Sequence, residues 1–157
     1  MTEETINNKQ IYKMPVVVLR GKTLYPKTLL NFDVGRSKSV VAIEKAFAGS
    51  KEVFIAPQKQ SYIDLPEVKD IFEYGVIAVI KQVVKISSDA MKVSVEAVAR
   101  AKIVEYLDTT DYFSAVIEVE PYVTSDNEML TEASLRSAKK IFSEYVAFDK
   151  RIGKEIA

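Results

Sequence analysis

MPVVVLRGKTLYPKTLLNFDVGRSKSVVAIEKAFAG, residues Met14 to Gly49, decides the fold. Val16 to Leu19 is a short β-branched apolar run, the pattern of a buried strand. Gly21 and Pro26 bracket a loop that ends it. Leu30, Phe32 and Val34 alternate with Asn31 and Asp33, the period of a half-buried second strand, and Gly35 breaks it. Ser37 stands where a side-chain oxygen caps a helix by accepting an orphan backbone N–H. Val40, Ile43 and Phe47 then form one apolar stripe, and Gly49 suits the residue just past the helix end. The segment reads strand, loop, strand, capped helix. So short a helix is marginal alone, and its stripe needs a sheet to cover.

Upstream, residues 1–12 are polar and read as a loose leader. Downstream, Val53 to Ala56 is a third strand, followed by a polar loop from Gln58 to Pro66 and a short helical turn within Glu67 to Tyr74. Val76 to Ile86 is the longest β-rich run. After a turn at Ser87 to Ala90, Met91, Val93, Val95 and Ala97 alternate with polar residues, so the two runs make a long hairpin. Phe113, Ala115, Ile117 and Val119 supply a further strand that Pro121 ends. Six strands with one early helix predict a small, partly closed barrel.

The pattern changes after Val123. Ser125 and Glu128 make a capping box, and Ala138, Ile141, Phe142, Tyr145, Phe148 and Ile152 recur at helical spacing. This predicts one long amphipathic helix in a second region, 124–157. Beyond Gly153 it carries no stop signal, which suggests the N-terminal piece of a longer chain.

Composition excludes several classes. The 157 residues carry 22 Lys+Arg and 22 Asp+Glu, and a dedicated nucleic-acid binder would show a basic surplus. No apolar run approaches the ~18 residues of a membrane helix, and the start lacks the apolar centre of a signal peptide. With no Cys there is no disulfide framework, which fits a cytoplasmic protein. With no Cys and no His, thiol nucleophiles, imidazole bases and most zinc sites are excluded, and no catalytic or metal-ligating set is assigned.

The ordered signals from about residue 14 to 120 resemble the N-terminal domain of Lon, the ATP-dependent protease family. They are Pro15, Leu19-Arg20, Tyr25-Pro26, Val34-Gly35-Arg36, Gln58, Gly75, Val95-Glu96 and Arg100-Ala101. Two positions depart from the family pattern. Lys27 and Ala97 stand where the family usually has glycine. The resemblance implies an α+β fold, with a PUA-like six-stranded pseudo-barrel over 13–123 and one packed helix, followed by the long C-terminal helix. It implies a non-catalytic domain that recognises unfolded or damaged proteins in quality control and the stress response, and that supports a homohexamer. An ATPase using ATP and Mg, and a Ser-Lys peptidase, would lie outside this chain. A stand-alone interaction module of the same fold is the alternative, with a PUA-like RNA-binding domain a weaker one.

Two motifs are set aside. Gly21-Lys22-Thr23 imitates the end of a phosphate-binding loop, but Val16 occupies the required first glycine position and no helix follows. Ser137 and Lys140 have nucleophile-base spacing, but they lie on a solvated helix face with no glycine-rich turn for an oxyanion hole.

Three groups are candidates. Leu24, Tyr25, Pro26 and Leu29 make an unusually apolar loop, which either holds unfolded polypeptide or plugs the barrel end. Ile141, Phe142, Tyr145, Phe148 and Ile152 form a packing face whose partner is this barrel, a following helix or another subunit, the last making it an assembly surface. Arg36 and Arg100 either contact a partner or bond backbone carbonyls or a carboxylate where strand meets helix; the structural role is favoured.

Overall fold

The structure, a computed structural model, describes residues 4–6, 9–121 and 127–148. Two compact units divide the chain, Met1–Pro121 and Tyr122–Ala157.

The first unit orders its elements as β1 (Glu4–Ile6), β2 (Lys9–Leu19), β3 (Leu29–Val34), α1 (Ser37–Ala48), β4 (Glu52–Pro57), a 3-10 turn (Val68–Asp70), β5 (Tyr74–Lys85), β6 (Met91–Asp108) and β7 (Phe113–Val119). β2 to β7 are the six expected strands. β2, β4, β5, β6 and β7 pair in succession, and β7 returns to β2, so the sheet closes. β2 and β4 run parallel; the other pairs are antiparallel. β6 is long enough to pair β3 with its first half, Met91–Glu96, and β7 with its second, from Ala101 to Asp108.

The continuous apolar runs reflect burial on both faces. Val17 and Leu19 of β2, with Val53 and Ile55 of β4, join a core that includes Val40 and Ile43 of α1. Val16 and Val18, with Phe54 and Ala56, join a second core with Phe113 and Ile117. A strand buried on both faces has no solvent side to mark with polar residues, so alternation disappears.

Several expectations are corrected. The N-terminal backbone is paired: β2 starts at Lys9, Ile11 and Tyr12 pair with Glu118 and Ile117, and Glu4–Ile6 pairs with residues 9–11. Tyr12 also packs on the second core, which draws this part of the polar leader into the sheet. Ser37 is the first residue of α1 and caps nothing; Arg36 occupies the cap position, with no side-chain hydrogen bond. The buried face of α1 is Ser39, Val40, Ala42, Ile43 and Ala46, which leaves Phe47 at the margin. Past the helix, Lys51 rather than Gly49 takes the left-handed conformation, φ 62°, and its N–H reaches the Ala46 carbonyl at 2.8 Å.

The second unit contains α2, Glu128–Phe148. Asn127 caps it, its Oδ1 accepting the Leu130 N–H at 3.0 Å. Ser125, the expected cap, lies outside the described residues.

Candidate functional site

The loop between β2 and β3 divides its apolar residues by depth. Leu24 is only 8% exposed and belongs to the core beside α1. Tyr25 and Leu29 are 67% and 72% exposed, and Pro26 is half-buried. Leu24 is therefore packed into the core, while Tyr25 and Leu29 are presented to solvent.

Backbone bonds hold this presentation. The Lys27 N–H donates to the Ala97 carbonyl at 2.8 Å, and the Ala97 N–H donates to the Thr28 carbonyl at 2.9 Å. The Thr28 hydroxyl donates to the Tyr25 carbonyl at 2.6 Å. Leu24, Tyr25 and Pro26 line a pocket of about 190 Å³ that Tyr74, Gly75 and Arg100 complete. Arg100 lies with its guanidinium 5.1 Å from the Tyr74 ring centre, a cation–π contact rather than the expected carbonyl bonds. The pocket wall is mostly apolar and aromatic, with two cations, Lys22 and Arg100.

Arg36 takes the structural role. It donates to Gln58 Oε1 at 2.9 Å and to the Ile63 carbonyl at 3.2 Å. Gln58 is buried, and its amide donates to the Gln60 and Ile63 carbonyls at 2.6 and 2.7 Å. Arg20 pairs with Asp64 at 2.6 Å. These three side chains pin the loop after β4 and leave Tyr62 and Leu65 exposed on it. Sequence reasoning missed this second apolar presentation. The signal was Tyr62, Ile63 and Leu65 within a stretch read as polar.

The family model for the ATP-dependent protease La (LON) substrate-binding domain matches residues 13–156. The chain belongs to the Lon substrate-binding domain family. The Lon protease of Heliobacterium modesticaldum is 38% identical over 157 residues, covering 99% of this chain and 19% of its own length. That of Syntrophomonas wolfei is 39% identical over 148 residues, covering 93% of this chain and 18% of its own length. The chain thus spans about a fifth of the curated relatives it matches. Among solved structures, the N-terminal domain of a Mycobacterium avium complex Lon protease superposes with a TM-score of 0.66 at 21% identity, over 87% of this chain and 68% of that one. A Lon N-terminal domain protein from Xanthomonas campestris gives 0.52 at 13%, over 74% of this chain and 64% of that one. These likenesses show the expected Lon N-terminal fold.

In this Lon domain α2 stands as a separate candidate. Ile141, Phe142, Tyr145 and Phe148 are exposed, and Val146 is its buried residue. Ile152 lies outside the described residues. Ser137 and Lys140 are exposed on the same helix. Gly21-Lys22-Thr23 runs from the end of β2 into the apolar loop, with Gly21 at φ 63°. Among the described residues no group of three or more Asp or Glu gathers to hold a metal, and no helix is long and apolar enough to cross a membrane.

Proposed function

We propose that the chain is the non-catalytic, polypeptide-holding domain of a cytoplasmic ATP-dependent Lon-type serine protease, acting in protein quality control. One observation carries the reading: Tyr25 and Leu29 are exposed on a loop anchored by buried Leu24 and by backbone bonds to Ala97. A rigid apolar surface loses little conformational entropy when it binds, and it accepts any unfolded segment with apolar side chains. Tyr74 and Arg100 extend that surface with an aromatic face and a cation. Nucleotide use with Mg and peptide cleavage belong to parts of the parent outside this chain. The exposed stripe of α2 is the proposed assembly face in a homohexamer.

The test is binding of a permanently unfolded protein to the chain and to its Tyr25→Ala/Leu29→Ala variant. Affinity is expected to fall at least fivefold, with the melting temperature within a few degrees of wild type. Unchanged affinity rejects the loop as the contact surface.

A further inference from the structure

Lys22 and Arg100 reach the Tyr25 pocket from segments far apart in the chain. Lys22 stands on the loop between β2 and β3, and Arg100 stands on β6 opposite Val76 of β5. Lys27, exposed on the same loop as Tyr25, adds a third cation beside the apolar residues. No carboxylate lines the pocket. The protein as a whole carries 22 cations against 22 carboxylates, so this local surplus comes from placement.

Cations nearby in the sheet are neutralised within the fold. Arg20 bonds Asp64 at 2.6 Å. Lys102, two residues beyond Arg100, lies 3.2 Å from Glu118 and 3.4 Å from Glu120. Glu96, the cross-strand partner of exposed Leu29, is taken up by Lys81 at 2.6 Å. The charge of Glu73, beside Tyr74 in the chain, acts on the Tyr106 phenol. Lys22, Lys27 and Arg100 have no carboxylate partner among the described residues. The Tyr74 ring, 5.1 Å from the Arg100 guanidinium, orients that group without cancelling its charge. A guanidinium held this way keeps N–H donors for an incoming carboxylate.

We propose that this surface selects, among unfolded segments, those in which an aromatic or aliphatic residue is flanked by Asp or Glu, and rejects those flanked by Lys or Arg. The apolar side chain packs on Tyr25, Leu29 and the pocket wall, and the flanking carboxylates meet Arg100, Lys22 and Lys27. Apolar contact supplies tolerance of sequence, whereas charge complementarity supplies discrimination and speeds encounter. The inference rests on the polypeptide-holding reading above and adds a substrate class to it.

The experiment measures fluorescence anisotropy, at low salt, of three peptides of one length that share a central Phe-Leu pair and carry Glu, Ser or Lys on both sides of it. Affinity is expected to fall in that order, with about tenfold between the Glu and Lys peptides, the sum of several exposed charge contacts. The gap is expected to close as salt is raised to ~0.5 M. Lys22→Gln/Arg100→Gln is expected to narrow it to about threefold or less, with the melting temperature reporting that the chain is folded. Lys22→Gln alone, which leaves the Tyr74 contact intact, is expected to narrow it part of the way. Equal binding of the three peptides overturns the proposal, as does an unchanged gap in both variants, or an oligothymidylate that binds as tightly as the Glu peptide. Equal binding that is lost in Tyr25→Ala/Leu29→Ala removes the charge selection and leaves the polypeptide-holding reading standing. A Glu preference at wild-type affinity in that variant rejects both.

Discussion

Lys27 and Ala97, the two positions the sequence reading sets apart as departures from the Lon resemblance, are bonded to each other. The Lys27 N–H meets the Ala97 carbonyl at 2.8 Å. The two departures are not equivalent. Lys27 sits at φ 64°, a left-handed conformation that opposes a side chain, whereas Ala97 is not among the positive-φ residues. Lys27→Gly is expected to stabilise the chain by about 1 kcal/mol, and Ala97→Gly to destabilise it by about 0.5–1 kcal/mol through added backbone freedom. Thermal or urea unfolding of the two variants measures both signs. A loss of stability in Lys27→Gly would contradict the strain at this position.

Gly75, the second residue of β5, is a glycine because nothing larger fits. A Cβ there would lie 2.2 Å from the Ile55 carbonyl oxygen and 2.8 Å from Phe54 Cζ. The oxygen is backbone and cannot rotate away. Gly75→Ala is expected to cost about 3 kcal/mol or more, beyond ordinary overpacking. Its melting temperature, and loss of the Tyr25 pocket that Gly75 also lines, are the readouts.

Gln58 is 6% exposed and its amide is fully used within the pinned loop. Gln58→Met keeps the volume but takes the amide donor from the Gln60 carbonyl and the Oε1 acceptor from Arg36, while the Ile63 carbonyl keeps its bond from Arg36. A cost of about 1–3 kcal/mol is expected. Opening of this loop should precede global unfolding. Limited trypsin digestion, with cleavage after Lys59 accelerated in the variant at temperatures where circular dichroism is still native, checks it.

Tyr106 carries an alkaline dependence. Burial pushes its hydroxyl up to about 12, and the Glu73 charge adds to this. The folded state therefore favours the neutral phenol, while the unfolded chain ionises near ~10. The stability from this difference is complete below the unfolded value and is lost as pH rises from about 10 through about 12. Tyr106→Phe is expected to lose less melting temperature across that window than wild type does. Parallel curves would assign the alkaline transition elsewhere.

The α2 stripe predicts concentration-dependent self-association of the chain, because Ile141, Phe142 and Tyr145 are exposed together at helical spacing. Light scattering should show mass rising with concentration, and Ile141→Asp with Phe142→Ser should abolish the rise. A monomer at all concentrations would count against the assembly face.

Much of the barrel was legible in the sequence, because side-chain period reports burial directly. Alternation at Leu30 to Val34 and at Met91 to Ala97 marks strands with one wet face, and each strand appears there. The continuous run Val16 to Leu19 marks one with none. Helix α1 was legible from its stripe, but its true cap and buried face were not. Those depend on where Arg36 finds its partners, on the distant Gln58 and Ile63.

What the sequence by itself determined is the order and type of elements, the absence of thiol and imidazole chemistry, and the apolar character of the Tyr25 loop. Only the tertiary structure decided that Leu24 is buried while Tyr25 and Leu29 are exposed, and that β2 outruns β7 to leave a slot under α1. Local pattern encodes how much of a residue meets water on average. Which apolar residues remain outside, and which strand edges remain unpaired, depends on pairings between segments far apart in the chain.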